Sequence, residues 1–292
     1  MAKPQKMRNI TEILSGNDAN TVHTLLTARK LPLHDNFETL MRQWDPYKHD
    51  VFDIDKRKKK RIKVPTDQKD PITGQVIYKT VLVDRVRIAL PIQQIIVERL
   101  VGFLLTNAVT YKANSHGVDV KSLDGKQQLL YDAIMHCYHD NKMKYFDKQL
   151  VRTVSSQCEA AELWYMTTDD NGRLGGEIRV QLLSPANGDK LYPHFNDWHR
   201  MDGFGREYYI FDEQGNSELH FDVYTDRYVY KYINNGSGWT LVDVKAHGFT
   251  KIPVVYYHQY KSEWADVQWA ADRAEECISN WGDTNDYFGT PK

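Results

Sequence analysis

Residues 219–232, LHFDVYTDRYVYKY, carry the pattern that decides the fold class. Apolar Leu219, Phe221 and Val223 alternate with polar residues, and a tyrosine at every second position from Tyr228 to Tyr232 repeats the alternation. A period of two is typical of antiparallel strands that bury one face and leave the other in water. The stretch therefore predicts two successive strands of a meander.

The sequence on either side of this stretch predicts the rest of the fold. Helical patterns cover residues 84–106, 125–139 and 143–161, and a helical periodicity returns after residue 261. A turn at 69–75 precedes a β-rich run at 76–83, and a short strand is predicted at 108–112. From about residue 162 to 258 the chain is rich in strand patterns, with turn sequences at 169–172, 212–216 and 234–238. This order predicts an α+β fold in which helices pack on an antiparallel meander, ahead of a long last helix.

The last helix is predicted to begin at Ser262 as its N-cap and to carry an apolar seam. The seam residues recur at spacings of 3, 4, 3, 4 and 3, which is the heptad pattern of helix–helix contact. Large residues stand at its ends and small ones between them, where a second helix could approach closely. We expect this seam to be an oligomer interface; its members are Trp264, Val267, Ala271, Ala274, Ile278 and Trp281.

Acidic residues mark another side of the same helix. At about 100° per residue, Asp272, Glu276 and Asp283 fall within about 40° of one another, roughly opposite the seam. We expect these three carboxylates to face water or a channel, since an unpaired acid inside a helix interface is costly.

Composition and motif content exclude several classes of protein. The net charge of −1 gives no support for a nucleic-acid-coating protein, so any DNA contact must come from local charge. The three cysteines lie far apart without a CxxC pair, which predicts no disulfide framework and synthesis in a reducing cytoplasm. The most apolar run, residues 90–105, is interrupted by charged and amide side chains, so no membrane span is expected. No phosphate loop, nucleophile elbow or HExxH motif occurs, so we expect no catalytic residue, nucleotide or other cofactor.

Two short motifs suggest metal sites only at first inspection. His136 and His139 share a helix face, yet no second ligand pair occurs elsewhere in the sequence. Residues 169–172, DDNG, resemble the opening of a calcium loop that no glutamate closes at the required spacing. We expect no bound metal, and a simple hairpin turn at 169–172.

Residues 56–63, KRKKKRIK, place seven bases in eight positions. Such a run could contact DNA or an anionic capsid surface, because clustered Lys and Arg release counterions from phosphate. It could equally be a solvated loop edge, since it has no interleaved aromatic residues. Both interpretations stay open at this point.

Three stretches, taken in order, resemble the portal proteins of tailed bacteriophages of the siphophage type. They are residues 87–104, RIALPIQQIIVERLVGFL; residues 155–166, SSQCEAAELWYM, which lack the glycine often found there; and residues 251–267, in which KIPVVYYH is followed by SEWADV at 262–267. The resemblance covers roughly residues 84–292, and it rests on order and spacing because no single motif is specific.

The resemblance implies a structural ring subunit. Residues 1–63 would be an N-terminal arm with the basic run, 64–261 a wing domain, and 262–292 the first stem helix, with the chain ending before a clip. The ring, a dodecamer in this family, would conduct double-stranded DNA during packaging and ejection at one capsid vertex. It would assemble in the bacterial host cytoplasm and contact the terminase large subunit, the major capsid protein, scaffolding protein and head-completion or adaptor proteins.

Two other functions compete with this interpretation. A nucleic-acid-processing enzyme without familiar motifs would hydrolyse DNA, and a head-completion or capsid-associated structural protein would form no channel. The oligomeric state, measured together with DNA hydrolysis, separates these hypotheses.

Overall fold

The computed structural model describes residues 9–28, 30–107, 109–111, 114–115, 118–119, 124–168 and 174–289. Within them lie the helices α1 (Ile10–Gly16), α2 (Ala19–Thr27), α3 (Phe37–Trp44), α4 (Ile92–Leu104), α5 (Gly125–Asp140), α6 (Met143–Gln157) and α7 (Gln268–Gly289). The strands are β1 (Lys60–Lys69), β2 (Val76–Val83), β3 (Asn114–Ser115), β4 (Val118–Asp119), β5 (Glu159–Thr168), β6 (Leu174–Leu183), β7 (Lys190–Phe195), β8 (Met201–Phe211), β9 (Ser217–Tyr224), β10 (Tyr228–Asn234), β11 (Trp239–Ala246) and β12 (Val254–His258). The predicted α+β class is confirmed.

Contacts within the chain define two compact units. One, the sheet unit, contains Met1–His34 and Leu100–Ser262, and the other, the helix unit, contains Asp35–Arg99 and Glu263–Lys292. The predicted division into 1–63, 64–261 and 262–292 groups the chain differently and stays a prediction about the assembled subunit. The two units differ from that division because α7 packs on residues that precede α4, which joins the last part of the chain to Asp35–Arg99.

The sheet unit holds the predicted meander. Five antiparallel strands lie in the order β11-β10-β9-β8-β7, and a second sheet has the order β12-β5-β6. Strands β9 and β10 pair directly, with Val223 opposite Tyr230 and Phe221 opposite Tyr232. The expected turns are also present. The Asp212 N–H donates to the Asn216 carbonyl and the Gly215 N–H donates to the Asp212 carbonyl, while the Asn235 N–H donates to the Gly238 carbonyl.

Both faces of the meander are covered in part, along β7 to β10, which the alternation of the sequence did not predict. On one face Phe221 and Tyr232 pack with residues of α1 and α2, including Ile13. On the other, Phe204 and Val229 pack with residues of the second sheet. The prediction of one wet face therefore fails only where the three-stranded sheet covers Phe204, Tyr224 and Val229, whereas most of β11 stays exposed.

The predicted helices 125–139 and 143–161 correspond to α5 and α6. Asp124 caps α5 in a capping box with Gln127. Helix α6 ends earlier than predicted, because Cys158 adopts a left-handed conformation with a φ of 64° and β5 begins at the next residue. The predicted turn at 169–172 and residues 108 and 112 of the predicted strand 108–112 lie outside the described residues, and residues 109–111 form no strand.

Candidate functional site on the last helix

Helix α7 begins at Gln268, six residues after the predicted N-cap Ser262. Residues 263–267 form turns instead, with Val267 N–H donating to the Trp264 carbonyl at 2.9 Å. These turns bury the Trp264 indole against Trp44, and its N–H donates to Gln43 Oε1 at 2.9 Å. Anchoring this tryptophan inside the helix unit delays the start of the helix.

An extended segment, residues 84–90, lies along α7 where the sequence predicted the first part of helix 84–106. The helix starts at Ile92 because Pro91 has no N–H and disfavours helical geometry in the residue before it. Alternate backbone N–H groups of the segment donate to side chains spaced four apart on α7. They are Val86 to Asp283 Oδ1 (3.0 Å), Ile88 to Ser279 Oγ (2.9 Å) and Leu90 to Glu275 Oε1 (2.8 Å).

The spacing of this ladder is a geometric match. Two residues of extended chain advance about 6.6 Å, and four residues of an α-helix advance about 6 Å. A polar side chain on every fourth residue of α7 can therefore meet every second N–H of a strand that runs beside it. Strands β1 and β2 pair as an antiparallel hairpin, and the ladder holds the segment between this hairpin and α4 along α7. It also places polar side chains on the buried face of α7.

His49 and Glu275 form a buried pair at the end of the ladder where Leu90 meets Glu275. His49 Nδ1 lies 2.7 Å from Glu275 Oε1, and His49 Nε2 lies 2.8 Å from the Gln43 carbonyl oxygen. A carbonyl and an ionised carboxylate both accept, so with Glu275 ionised this geometry favours the protonated imidazole, which donates from both nitrogens. Burial of the ring opposes its protonation, but the hydrogen bonds with Glu275 and Gln43 and the negative charges of Glu275 and Asp272 outweigh it and raise the pKa of His49.

Asp283 is the centre of a second charged cluster, at the other end of the ladder. Arg57 Nη2 lies 2.9 Å from Asp283 Oδ2, and Lys60 Nζ lies 3.0 Å from Asp283 Oδ1. The same arginine donates to Asn280 Oδ1 and to the Val86 carbonyl. Burial opposes ionisation of Asp283, but the Val86 N–H and the cations Lys60 and Arg57 outweigh it and lower the pKa of this carboxyl.

The three carboxylates predicted to face a channel thus occupy three environments. Asp283 is paired as described. Asp272 is half-buried and accepts from Gln268 Nε2 at 2.8 Å; burial, with the charges of Asp50 and Glu275, raises its pKa against that hydrogen bond. Glu276 is exposed and pairs with Arg273 one turn earlier. The structure places Glu276 on the surface and draws the other two toward the interior of the helix unit.

The predicted oligomer seam is divided in the same way. Trp264 and Ala271 are buried inside the helix unit, Ala274 and Ile278 are half-buried, and Val267 and Trp281 are exposed. The buried face of α7 centres instead on polar residues, including Glu275 and Ser279. Three exposed aromatic residues of α7 that lie outside the predicted seam add to its outer surface; they are Trp269, Tyr287 and Phe288.

The basic run 56–63 is partly neutralised inside the helix unit. Arg57 and Lys60 pair with Asp283, Lys56 pairs with Asp50, and Lys59 lies 3.1 Å from Asp84. Its last four residues begin strand β1. Neither the solvated-loop nor the DNA interpretation included these internal partners, because they come from residues distant in sequence.

His49 likewise carried no sequence signal, whereas the polar spacing of Glu275, Ser279 and Asp283 could have indicated a polar buried stripe on α7.

The other motifs considered for metal binding show no site in the described residues. His136 and His139 are both exposed, and both lie close to Asp140. Across the part of the chain that the structure describes, no three His, Cys, Asp or Glu side chains converge as metal ligands.

Comparison with known proteins gives one match of long extent. The family model described as "Phage portal protein, SPP1 Gp6-like" matches residues 39–291. A search of curated proteins found no match to the chain. Among the described residues, no helix is both long enough and apolar enough to cross a membrane.

Proposed function

Because the chain belongs to the SPP1 Gp6-like phage portal protein family, we propose that its last helix, α7, lines the DNA channel of the portal ring. Portal proteins form an oligomeric ring at a capsid vertex through which DNA is translocated, and they are structural components of the virion and not enzymes. The part of the proposal that is specific to this chain is which surfaces of α7 face the DNA and which face a neighbouring subunit.

The observation that carries the proposal is the charge of α7. Residues 268–289 contain five Asp and Glu and one base, Arg273, which is itself paired with Glu276. In a ring, the acids of α7 that remain toward solvent would repel phosphate, so DNA would pass without binding tightly. Glu276 is the exposed carboxylate of the three predicted to face the channel, and Asp272 lies beside it, half-buried. Asp283 contributes less negative field, because Arg57 and Lys60 neutralise it.

The oligomer interface follows from the exposed part of the predicted seam. Trp264 and Ala271 stabilise the subunit itself, which leaves Val267 and Trp281, with the half-buried Ala274 and Ile278, for contact with a neighbour. Burying a large apolar side chain contributes about 1.5–3 kcal/mol relative to exposure. Trp281, 74% exposed, is the largest such contribution that the seam offers.

Finer features are proposed from family membership. They are a dodecameric ring of the full-length protein, an arm at 1–63, a wing at 64–261 and a first stem helix at 262–292. The partners proposed on the same ground are the terminase large subunit, the major capsid protein, scaffolding protein and head-completion or adaptor proteins.

The oligomeric state of matched tryptophan variants tests the proposal. Trp269 is 73% exposed and lies 12 residues before Trp281, which is about 120° around the helix. We expect Trp281→Ser to reduce the fraction of ring particles, measured by mass photometry, at least tenfold, and Trp269→Ser to leave it within about twofold of the unmodified protein. Equal loss in both variants, or loss in Trp269→Ser alone, would show that the interface lies elsewhere on α7.

A further inference from the structure

The hairpin formed by β1 and β2 is exposed along most of its length. Its strands make a two-stranded sheet of their own, from Lys60 opposite Val83 to Lys69 opposite Val76. Every residue of β2 except Val83 is exposed, and so is every second residue in the first half of β1. Because an isolated two-stranded hairpin is at best marginally stable in water, we expect this one to gain stability from a ligand that covers it.

The cross-strand pairs on one face of this hairpin carry only basic charge. Residues directly opposite each other share a side of the sheet, and the exposed positions of β1 mark that side as the outer face. The outer face consists of the pairs Arg61 with Leu82, Lys63 with Thr80, Pro65 with Tyr78 and Lys69 with Val76. One acid, Asp67, lies in the register shift between Pro65 and Lys69. The pairs themselves hold three cations and no carboxylate.

These three cations differ from the bases that precede them in the chain. Four bases at the root of the hairpin each pair with a carboxylate of the helix unit; they are Lys56, Arg57, Lys59 and Lys60. Arg61, Lys63 and Lys69 are exposed and have no carboxylate partner among the described residues. Their charge is therefore free to bind an anionic ligand, whereas that of the root is already used within the subunit.

The shape and chemistry of the outer face match double-stranded DNA. A two-stranded β-ribbon fits the major groove, which is about 12 Å wide. The 10 residues of β1 span about 33 Å, close to one helical turn of about 34–36 Å. Arginine and lysine pair with phosphate, and hydroxyl groups such as those of Thr80 and Tyr78 also donate to phosphate oxygens. The apolar side chains between them suit the thymine methyl groups of the groove.

We propose that the outer face of the hairpin binds the phosphate backbone of double-stranded DNA through Arg61, Lys63 and Lys69. This rests on the proposed function, because the portal ring is what brings DNA to the chain. A neighbouring protein is the competing occupant, since Tyr78 and Leu82 are each 60% exposed. DNA is favoured because protein interfaces are depleted in lysine, and an apolar partner surface would leave all three cations without a counter-charge.

The proposed contact is weak and depends on salt. Each phosphate that a protein neutralises releases counterions, which lowers the logarithm of the binding constant by about 0.9 per tenfold rise in salt. Three phosphates account for a slope of about −2.7, or about 40-fold weaker binding at 200 mM salt than at 50 mM. A contact of this kind holds DNA without reading its sequence and lets it slide, as translocation requires.

Two triple variants of equal net charge test the inference. The outer-face variant combines Arg61→Gln, Lys63→Gln and Lys69→Gln. The control combines Lys126→Gln, Lys144→Gln and Lys251→Gln, which are exposed bases of the sheet unit. All six side chains are exposed, so the thermal unfolding midpoint of each variant should stay within about 2 °C of that of the unmodified protein.

Fluorescence anisotropy with a labelled duplex of about three helical turns measures the binding. At about 50 mM salt we expect the outer-face variant to bind at least tenfold more weakly than the unmodified protein, and its salt slope to be shallower by about 2.7. The control should stay within about twofold, with an unchanged slope. No binding by the unmodified protein, no loss in the outer-face variant, or an equal loss in both variants overturns the inference.

The fraction of ring particles, measured on the same samples, separates this inference from the proposed function. If the outer-face variant loses rings but binds DNA as before, the face contacts a neighbouring subunit and the inference is wrong. If the unmodified protein forms no rings but loses DNA binding with the three cations, the proposed function fails while the hairpin remains a DNA contact. A photo-crosslinking residue in place of Tyr78 gives direct evidence: covalent adducts with the duplex support the contact, and their absence overturns it.

Discussion

His49 Nδ1 and Glu275 Oε1 lie 2.7 Å apart, and both side chains are only 1% exposed. The two residues are separated by 226 positions in the sequence. Their contact joins the loop before the hairpin to the middle of α7, and the same Glu275 oxygen also accepts from the Leu90 N–H. The acidic last helix is therefore held in its own subunit by one of its own carboxylates.

This pair should make the stability of the subunit depend on pH. Because the pKa of His49 is raised in the folded protein, the protonated imidazole stabilises the fold. This contribution to the free energy of unfolding is complete below the ordinary histidine pKa of about 6.5, and it is lost as the pH rises through the higher pKa of the folded state. We expect Glu275→Gln to lower the free energy of unfolding by about 3 kcal/mol near pH 6, and by progressively less toward pH 9. Urea unfolding at several pH values measures this difference. The neighbouring exposed Glu276→Gln serves as the control and should change stability little at any of them.

Replacing Asp283 should loosen the other end of the ladder. Asp283→Asn leaves the guanidinium of Arg57, a largely buried side chain, without its carboxylate, and we expect a loss of about 3 kcal/mol at pH 7. Lys60→Gln removes a more exposed cation and should cost less. Because the pKa of Asp283 is lowered, its contribution is complete above about pH 4 and is lost as the pH falls further. The difference between the unmodified protein and Asp283→Asn should thus shrink in acid; a difference that grows there would contradict this assignment.

A charge at Ala271 should disrupt the subunit before it disrupts the ring. Ala271 is buried inside the helix unit, whereas Ala270, the next residue, is exposed. Ala271→Glu places an unpaired carboxylate in that interior, which costs several kcal/mol, and we expect a low yield of folded protein. Ala270→Glu should give a folded subunit with a nearly unchanged unfolding midpoint. Similar midpoints for the two variants, measured by differential scanning fluorimetry, would show that Ala271 is not buried in the subunit.

The middle rung of the ladder is open to a residue-specific test. Ser279→Ala removes the acceptor of the Ile88 N–H, and an unsatisfied buried donor costs about 1–3 kcal/mol. We expect the amide of Ile88 to exchange with solvent at least tenfold faster in this variant, as measured by hydrogen–deuterium exchange. Thr284→Ala removes a hydroxyl on the exposed side of the same helix, which bonds only within the helix, and should leave that amide unchanged.

The sequence by itself determined the elements and their class. Alternation in β9 and β10, helical periodicity in α5 and α6, and turn residues at 212–216 depend on neighbours only a few positions away, so they are readable without the fold. Pro91 is an equally local signal that a helix starts after it, since proline restricts the residue before it. The apolar periodicity from residue 84 onward nevertheless led to a predicted helix that begins too early.

Only the tertiary structure decided which surfaces remain available for function. The heptad spacing of α7 is compatible with contact on either of two adjacent sides, and the sequence could not show that Trp264 and Ala271 pack inside their own subunit. Nor could it show that Asp283 meets Arg57, or that Glu275 meets His49, because each pair joins residues more than 200 positions apart. Periodicity determines which residues share a side of an element, whereas burial depends on what else the chain brings against that side.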